Sequence, residues 1–143
     1  VLDLFSGTGS LGIEALSRGA ASSVFIDQSR ECAGIIKENL IHTKLIDRAE
    51  IYNMQAENAL NMLSEKGKKF DMVFLDPPYC KNYIQEALIN LDNNDIIIDS
   101  SIIIAEHSVK DTLSDEVGRL EKFRSQKYGD TILSFYRIKE SGR

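Results

Sequence analysis

Asp76-Pro77-Pro78-Tyr79 sets a carboxylate, two prolines and a phenol ring in four consecutive positions. Two prolines in a row fix φ and remove two backbone donors. What remains on this stiff segment is a set of acceptors, namely the Asp76 carboxylate and the carbonyls of Asp76 and Pro77. Such a surface suits a planar exocyclic amine, whose two N–H bonds need acceptors, while Tyr79 can stack on the ring that carries the amine. Hydrogen bonds from that amine to Asp76 and a carbonyl would favour a pyramidal nitrogen, as in-line attack on an electrophilic methyl group requires. No metal or covalent intermediate is needed.

A second stretch, Gly7-Thr8-Gly9-Ser10-Leu11-Gly12, satisfies G-x-G-x-x-G, and Asp27 stands 20 residues beyond Gly7. The glycines let the backbone pass close to a ligand, the following helix start offers free N–H groups, and the acid can accept from ribose hydroxyls. Any adenosine-containing cofactor could use these parts, so an NAD-binding oxidoreductase remains open at this point. The flanks separate the candidates. Asp3 and Ser6 precede the first glycine, and a carboxylate there would repel a pyrophosphate but suit the cationic amino-acid end of S-adenosylmethionine. The loop also lacks the Gly-Lys-Ser/Thr ending of a triphosphate-binding loop.

The elements that must position these residues alternate. Val1 to Phe5 reads as a buried strand, Ser10 to Arg18 as a helix stopped by Gly19, and Ser23 to Ile26 as a second strand ending on Asp27. Ser29 can cap a helix through Ile41; a strand over Ala49 to Asn53 then leads to a helix over Glu57 to Glu65. Phe70 to Leu75 is a fourth strand ending on Asp76, Tyr83 to Leu91 a helix, and Ser101 to Ala105 a fifth strand. This alternation predicts an α/β fold, a Rossmann-like, mostly parallel doubly wound sheet covered on both faces. Leu120 to Gln126 and Thr131 to Ile138, joined by a turn over Lys127 to Asp130, predict a C-terminal antiparallel hairpin. Ligands of such sheets sit outside the carboxyl ends of the strands, so both motifs should meet in one crevice.

Composition bounds the rest. The 143 residues suffice for one domain, 1–143, and 43% apolar with 27% charged residues is ordinary for a globular chain. No apolar run approaches the roughly 18 residues of a membrane span. Cys32 and Cys80 lack C-x-x-C spacing, and His42 and His107 stand alone, so neither a metal site nor a disulfide framework is expected and a reducing cytoplasm is. A net charge of −5 opposes nonspecific attraction to a polyanion. The basic clusters Lys66, Lys68, Lys69 and Arg119, Lys122, Arg124, Lys127 read as solvated faces.

At Leu4-Phe5-Ser6-Gly7-Thr8-Gly9-Ser10-Leu11-Gly12, Glu14-Ala15-Leu16-Ser17-Arg18-Gly19-Ala20 and Phe74-Leu75-Asp76-Pro77-Pro78-Tyr79 the chain resembles the bacterial small-subunit ribosomal RNA guanine-N2 methyltransferase family. The resemblance runs through nearly the whole chain. It implies an S-adenosylmethionine-dependent enzyme that methylates a guanine of 16S ribosomal RNA in the assembling small subunit, working in the cytoplasm as a monomer. Carried over by position, Asp3, Phe5, Gly7, Thr8, Gly9, Asp27, Gln28, Gln55 and Ala56 would hold the cofactor, with Asp27 on the ribose and Gln55-Ala56 near the adenine. Asp76, Pro77, Pro78 and Tyr79 would hold the guanine amine. The family carries a basic segment before its first strand, and this chain opens without Met on what reads as that strand, so the natural N-terminus is expected upstream. An adenine-N6 methyltransferase acting on DNA or RNA could use the same Asp-Pro-Pro-Tyr logic. A protein-glutamine methyltransferase fits less well, since its motif begins with Asn where this chain has Asp76.

Overall fold

The computed structural model describes residues 1–77 and 83–140. The strands are β1 (Leu2–Asp3), β2 (Ser23–Asp27), β3 (Ala49–Asn53), β4 (Phe70–Leu75), β5 (Ile97–Ser108), β6 (Glu116–Val117), β7 (Leu120–Tyr128) and β8 (Thr131–Ile138). The helices are α1 (Ser10–Ser17), α2 (Arg30–His42), α3 (Ala56–Glu65) and α4 (Tyr83–Asn93), with one 3-10 turn at Ile46–Arg48. One sheet runs in the order β3-β2-β1-β4-β5-β8-β7-β6, parallel from β3 to β5 and antiparallel beyond. Strand order therefore reverses at β1, which pairs with β2 on one side and β4 on the other. That is the switch point at which a doubly wound sheet opens its crevice.

Side-chain alternation in β2 divides the core. Val24 and Ile26 pack into a large cluster with Leu60 and Leu63 of α3 and Leu88 and Leu91 of α4. Phe25 points to the other face, against Leu16 of α1 and Ile36 and Leu40 of α2. Gly12 is required here, because a Cβ would overlap the Phe25 ring. Helical cover on the α1–α2 face is thinner than the alternation predicts: Met72, Phe74, Ile102, Ile104 and Phe135 remain only half-buried.

Several boundaries differ from expectation, most by a residue or two, and a short strand, β6, was not expected; three of the differences have identifiable reasons. The regular part of β1 is only Leu2–Asp3, although Leu4 N–H still donates to Phe74 and Ser6 N–H to Ile26 as the chain leaves the sheet. β5 begins at Ile97 rather than Ser101, since the polar Asp99-Ser100-Ser101 stretch accommodates a register shift against Phe70 and Met72. Ser101 Oγ closes this bulge by accepting from Ile98 N–H and donating to the Phe70 carbonyl at 2.6 Å. The hairpin turn shrinks to Gly129-Asp130, with Tyr128 paired to Thr131. Gly129 at φ +59° takes the first central position, where a two-residue turn of this kind needs glycine.

Candidate active site

The crevice is built at the ends of β1 to β4. After β1 the loop turns through Gly7 at φ +57° and Gly9 at φ +84°, conformations that side chains resist. Ser6 ties the loop to the sheet: its Oγ donates to the Asp3 carbonyl at 2.6 Å and accepts from Ile26 N–H at 3.1 Å. Asp27, at the end of β2, holds the loop from the other side. Its Oδ2 accepts from Gly7 N–H and its Oδ1 from Ser29 N–H, both at 2.8 Å. Each carboxylate oxygen has two lone pairs, so one on each stays available to a ligand. Ser29 in turn caps α2 by accepting from Cys32 N–H.

Asp3 lies beneath the loop rather than on the cavity wall. It is 1% exposed, and its Oδ2 accepts from Gly12 N–H at 3.1 Å. Helix α1 is capped by Gly9, which has no side chain to offer, and carries no acid in its first turn. A carboxylate from the neighbouring strand therefore does the capping that Ser, Thr or Asp would do from within the helix. Burial pushes the Asp3 carboxyl up to about 7; the Gly12 N–H opposes this, and the charges of Asp76 and Asp27 add to it.

Asp76 follows β4 and opens into the cavity. Burial, and then the neighbouring Glu106, push its carboxyl up to about 6. The cavity between these strand ends, α3 and α4 has a volume of about 510 Å³, within the range of small-molecule sites. Of the sequence-predicted cofactor residues, Phe5, Gly7, Asp27, Gln28, Gln55 and Ala56 line it. Asp3, Thr8 and Gly9 shape the loop behind it, with the Thr8 carbonyl fastened to α2 by Asn39 Nδ2 at 3.0 Å. Pro77, the next residue, is half-buried, whereas Pro78 and Tyr79 lie outside the described residues.

Sequence reasoning did not single out Met54, Glu57, Tyr83 or Glu86, which also line the cavity. Tyr83 at the start of α4 packs its ring 6.3 Å from that of Phe5, tilted by 41°. Among the described lining residues there are four carboxylates, Asp27, Glu57, Asp76 and Glu86, and neither lysine nor arginine. Such a wall repels a pyrophosphate and attracts a cation, so it fits a sulfonium with its ammonium group and not a dinucleotide.

Residues 1–137 match the family described as Conserved hypothetical protein 95. YlbH of Bacillus subtilis (strain 168), provisionally named an rRNA methyltransferase, is 36% identical over 136 residues, 95% of this chain and 74% of that protein. Ribosomal RNA small subunit methyltransferase D of Escherichia coli (strain K12) is 30% identical over 141 residues, 99% of this chain and 69% of that one. Among solved structures, a conserved hypothetical protein of Streptococcus pyogenes superposes with a TM-score of 0.87 at 33% identity, covering 96% of this chain and 84% of its own.

Proposed function

The chain belongs to the Conserved hypothetical protein 95 family and is an S-adenosylmethionine-dependent methyltransferase; from that premise we propose that it methylates the exocyclic N2 amine of a guanine in 16S ribosomal RNA. The observation that carries this reading is the convergence of Gly7, Asp27, Gln55 and Asp76, from four strand ends, on one acid-walled cavity. When bound, S-adenosylmethionine supplies an electrophilic methyl group on a sulfonium centre. The protein's part is to bind, orient and accept hydrogens. Asp27 takes the ribose hydroxyls on its two remaining lone pairs, and Gln55 with Ala56 meets the adenine edge. Phe5, Gly7 and Gln28 complete the wall, and Asp3 acts through the loop that it fastens. Asp76 and the carbonyl of Pro77 accept the two N–H bonds of the substrate amine.

Similarity to the small subunit methyltransferase D proteins supports the choice of guanine in the small subunit or its assembly intermediate. We place the reaction in the cytoplasm, on a monomer and without a metal; among the described residues no helix is long and apolar enough to cross a membrane. The test uses small subunits from cells lacking this protein, incubated with the purified protein and labelled S-adenosylmethionine. Nucleoside mass spectrometry is expected to find N2-methylguanosine in 16S RNA, and label on adenine of free DNA instead would overturn the reading. Asp76→Ala should lower kcat about a hundredfold or more while calorimetric affinity for S-adenosylhomocysteine is kept; unchanged turnover would remove Asp76 from the chemistry.

A further inference from the structure

The β4–β5 ladder pairs Leu75 with Ala105, so the next residues on the two parallel strands, Asp76 and Glu106, stand side by side at the sheet's carboxyl edge. Their side chains lie within hydrogen-bonding reach of each other. We propose that Glu106 is a positioning residue for Asp76, its carboxylate beside that of Asp76 setting which Asp76 oxygen faces the acceptor amine and sharing with it the one proton that the pair takes up. The inference rests on the methyl-transfer reading above.

Among the described residues the two acids have little choice of partner. On the far side of Glu106, β8 sets Leu133 opposite it, and β7 sets Gln126 opposite Leu133. Asp3 of β1 is close enough to interact with Asp76 through space. The remaining charged groups on the described cavity wall are Asp27 of β2, Glu57 of α3 and Glu86 of α4, with the Tyr83 phenol beside them. His107 is turned away, its Nε2 on Ser134 Oγ at 2.7 Å. Two carboxylates forced together, with neither lysine nor arginine among the described residues of the cavity wall, lower their repulsion by sharing a proton, and the upward displacement of Asp76 toward about 6 follows from that contact once burial has acted. The consequence for the reaction is directional. The amine's lone pair forms the new N–C bond, the C–S electron pair returns to sulfur, and the nitrogen sheds one proton. Above the midpoint of the pair both carboxyl groups are ionised, and Asp76, made more basic by the Glu106 charge beside it, receives that proton, which the two carboxyl groups then share.

The first measurement needs no substrate: the carboxyl carbon of Asp76 is followed by NMR as pH is varied in the unliganded protein. In the parent chain the midpoint should lie near 6, and in Glu106→Gln it should fall by about one pH unit or more, because the repelling charge is gone. The acid limb of kcat should move down with it. At neutral pH, kcat of Glu106→Gln should drop roughly tenfold with KM for the particle unchanged, while Glu106→Asp restores the parent profile. Affinity for S-adenosylhomocysteine should be the same in all three, showing that the cofactor wall is intact. An Asp76 midpoint unmoved in Glu106→Gln overturns the inference. A parent chain that methylates no guanine of 16S RNA, yet shows the midpoint shift, would sink the functional reading and leave the pairing standing.

Discussion

Asp3 is a carboxylate placed where burial opposes its charge, and the structure shows what it does there. It accepts the Gly12 N–H at the start of a helix whose own cap, Gly9, has no side chain. The folded chain holds this carboxyl up to about 7 against an ordinary value of 3.8, so between about pH 4 and pH 7 the folded state binds the extra proton. Stability attributable to Asp3 is thus greatest below that window and falls as pH rises through it, by up to about 4 kcal/mol. Asp3→Asn keeps an oxygen for the Gly12 N–H and has no charge to bury. Urea unfolding should find the variant close to the parent at pH 4.5 and more stable than it at pH 8. A difference that does not change with pH would show that Asp3 carries no such burden.

At the scale of elements, the contact between α1 and β2 sets the height of the glycine loop. Gly12 lies directly over the Phe25 ring, which is fully buried. Gly12→Ala should destabilise by about 1–3 kcal/mol through overpacking, against a helix-propensity gain of at most about 1 kcal/mol. It should also weaken S-adenosylhomocysteine binding, because the displaced helix carries Gly9 with it. Phe25→Leu in the same chain should recover part of the loss, and strictly additive unfolding energies in the double variant would refute the contact. This packing role could not be read from a glycine pattern that also suits a cofactor. The strands β2, β3 and β4 were legible because each is a short run bounded by polar residues, and α2 was legible from Ser29. The start of β5 was not, since Asp99-Ser100-Ser101 breaks the apolar run and only the tertiary bulge explains it. Glu106 had a readable signal that went unused: Ile103-Ile104-Ala105-Glu106 ends in an acid just as Val73-Phe74-Leu75-Asp76 does, and parallel neighbours bring such ends together. The capping role of Asp3 was hidden for a different reason, because it depends on which strand end lies under which helix.

Across the whole molecule the distribution of charge poses a question for any polyanionic substrate. The net charge is −5, and the basic clusters are largely neutralised in place. Arg119 is held by Asp92, Lys122 by Asp115, Lys68 by Glu50 and Lys69 by Asp95. Arg124 and Arg137 lie over the rings of Phe135 and Phe123, and Arg137 also meets Glu121. Exposed pairs of this kind add little to stability, but they remove cations that would otherwise meet phosphates. This 143-residue chain should therefore have little bulk affinity for RNA, and on the function proposed above recognition of a substrate would rest on shape and on the pocket at Asp76. Fluorescence anisotropy with an unstructured labelled RNA should give a Kd of about 10⁻⁴ M or weaker near physiological salt, with a shallow dependence of log K on log salt. Neutralising Asp92 and Asp115 together, as Asp92→Asn and Asp115→Asn, frees Arg119 and Lys122 and should tighten binding and steepen that slope by about 1–2. A parent chain that already binds with a steep slope would mean that an uncompensated cationic face exists and that charge, not shape, brings the RNA in.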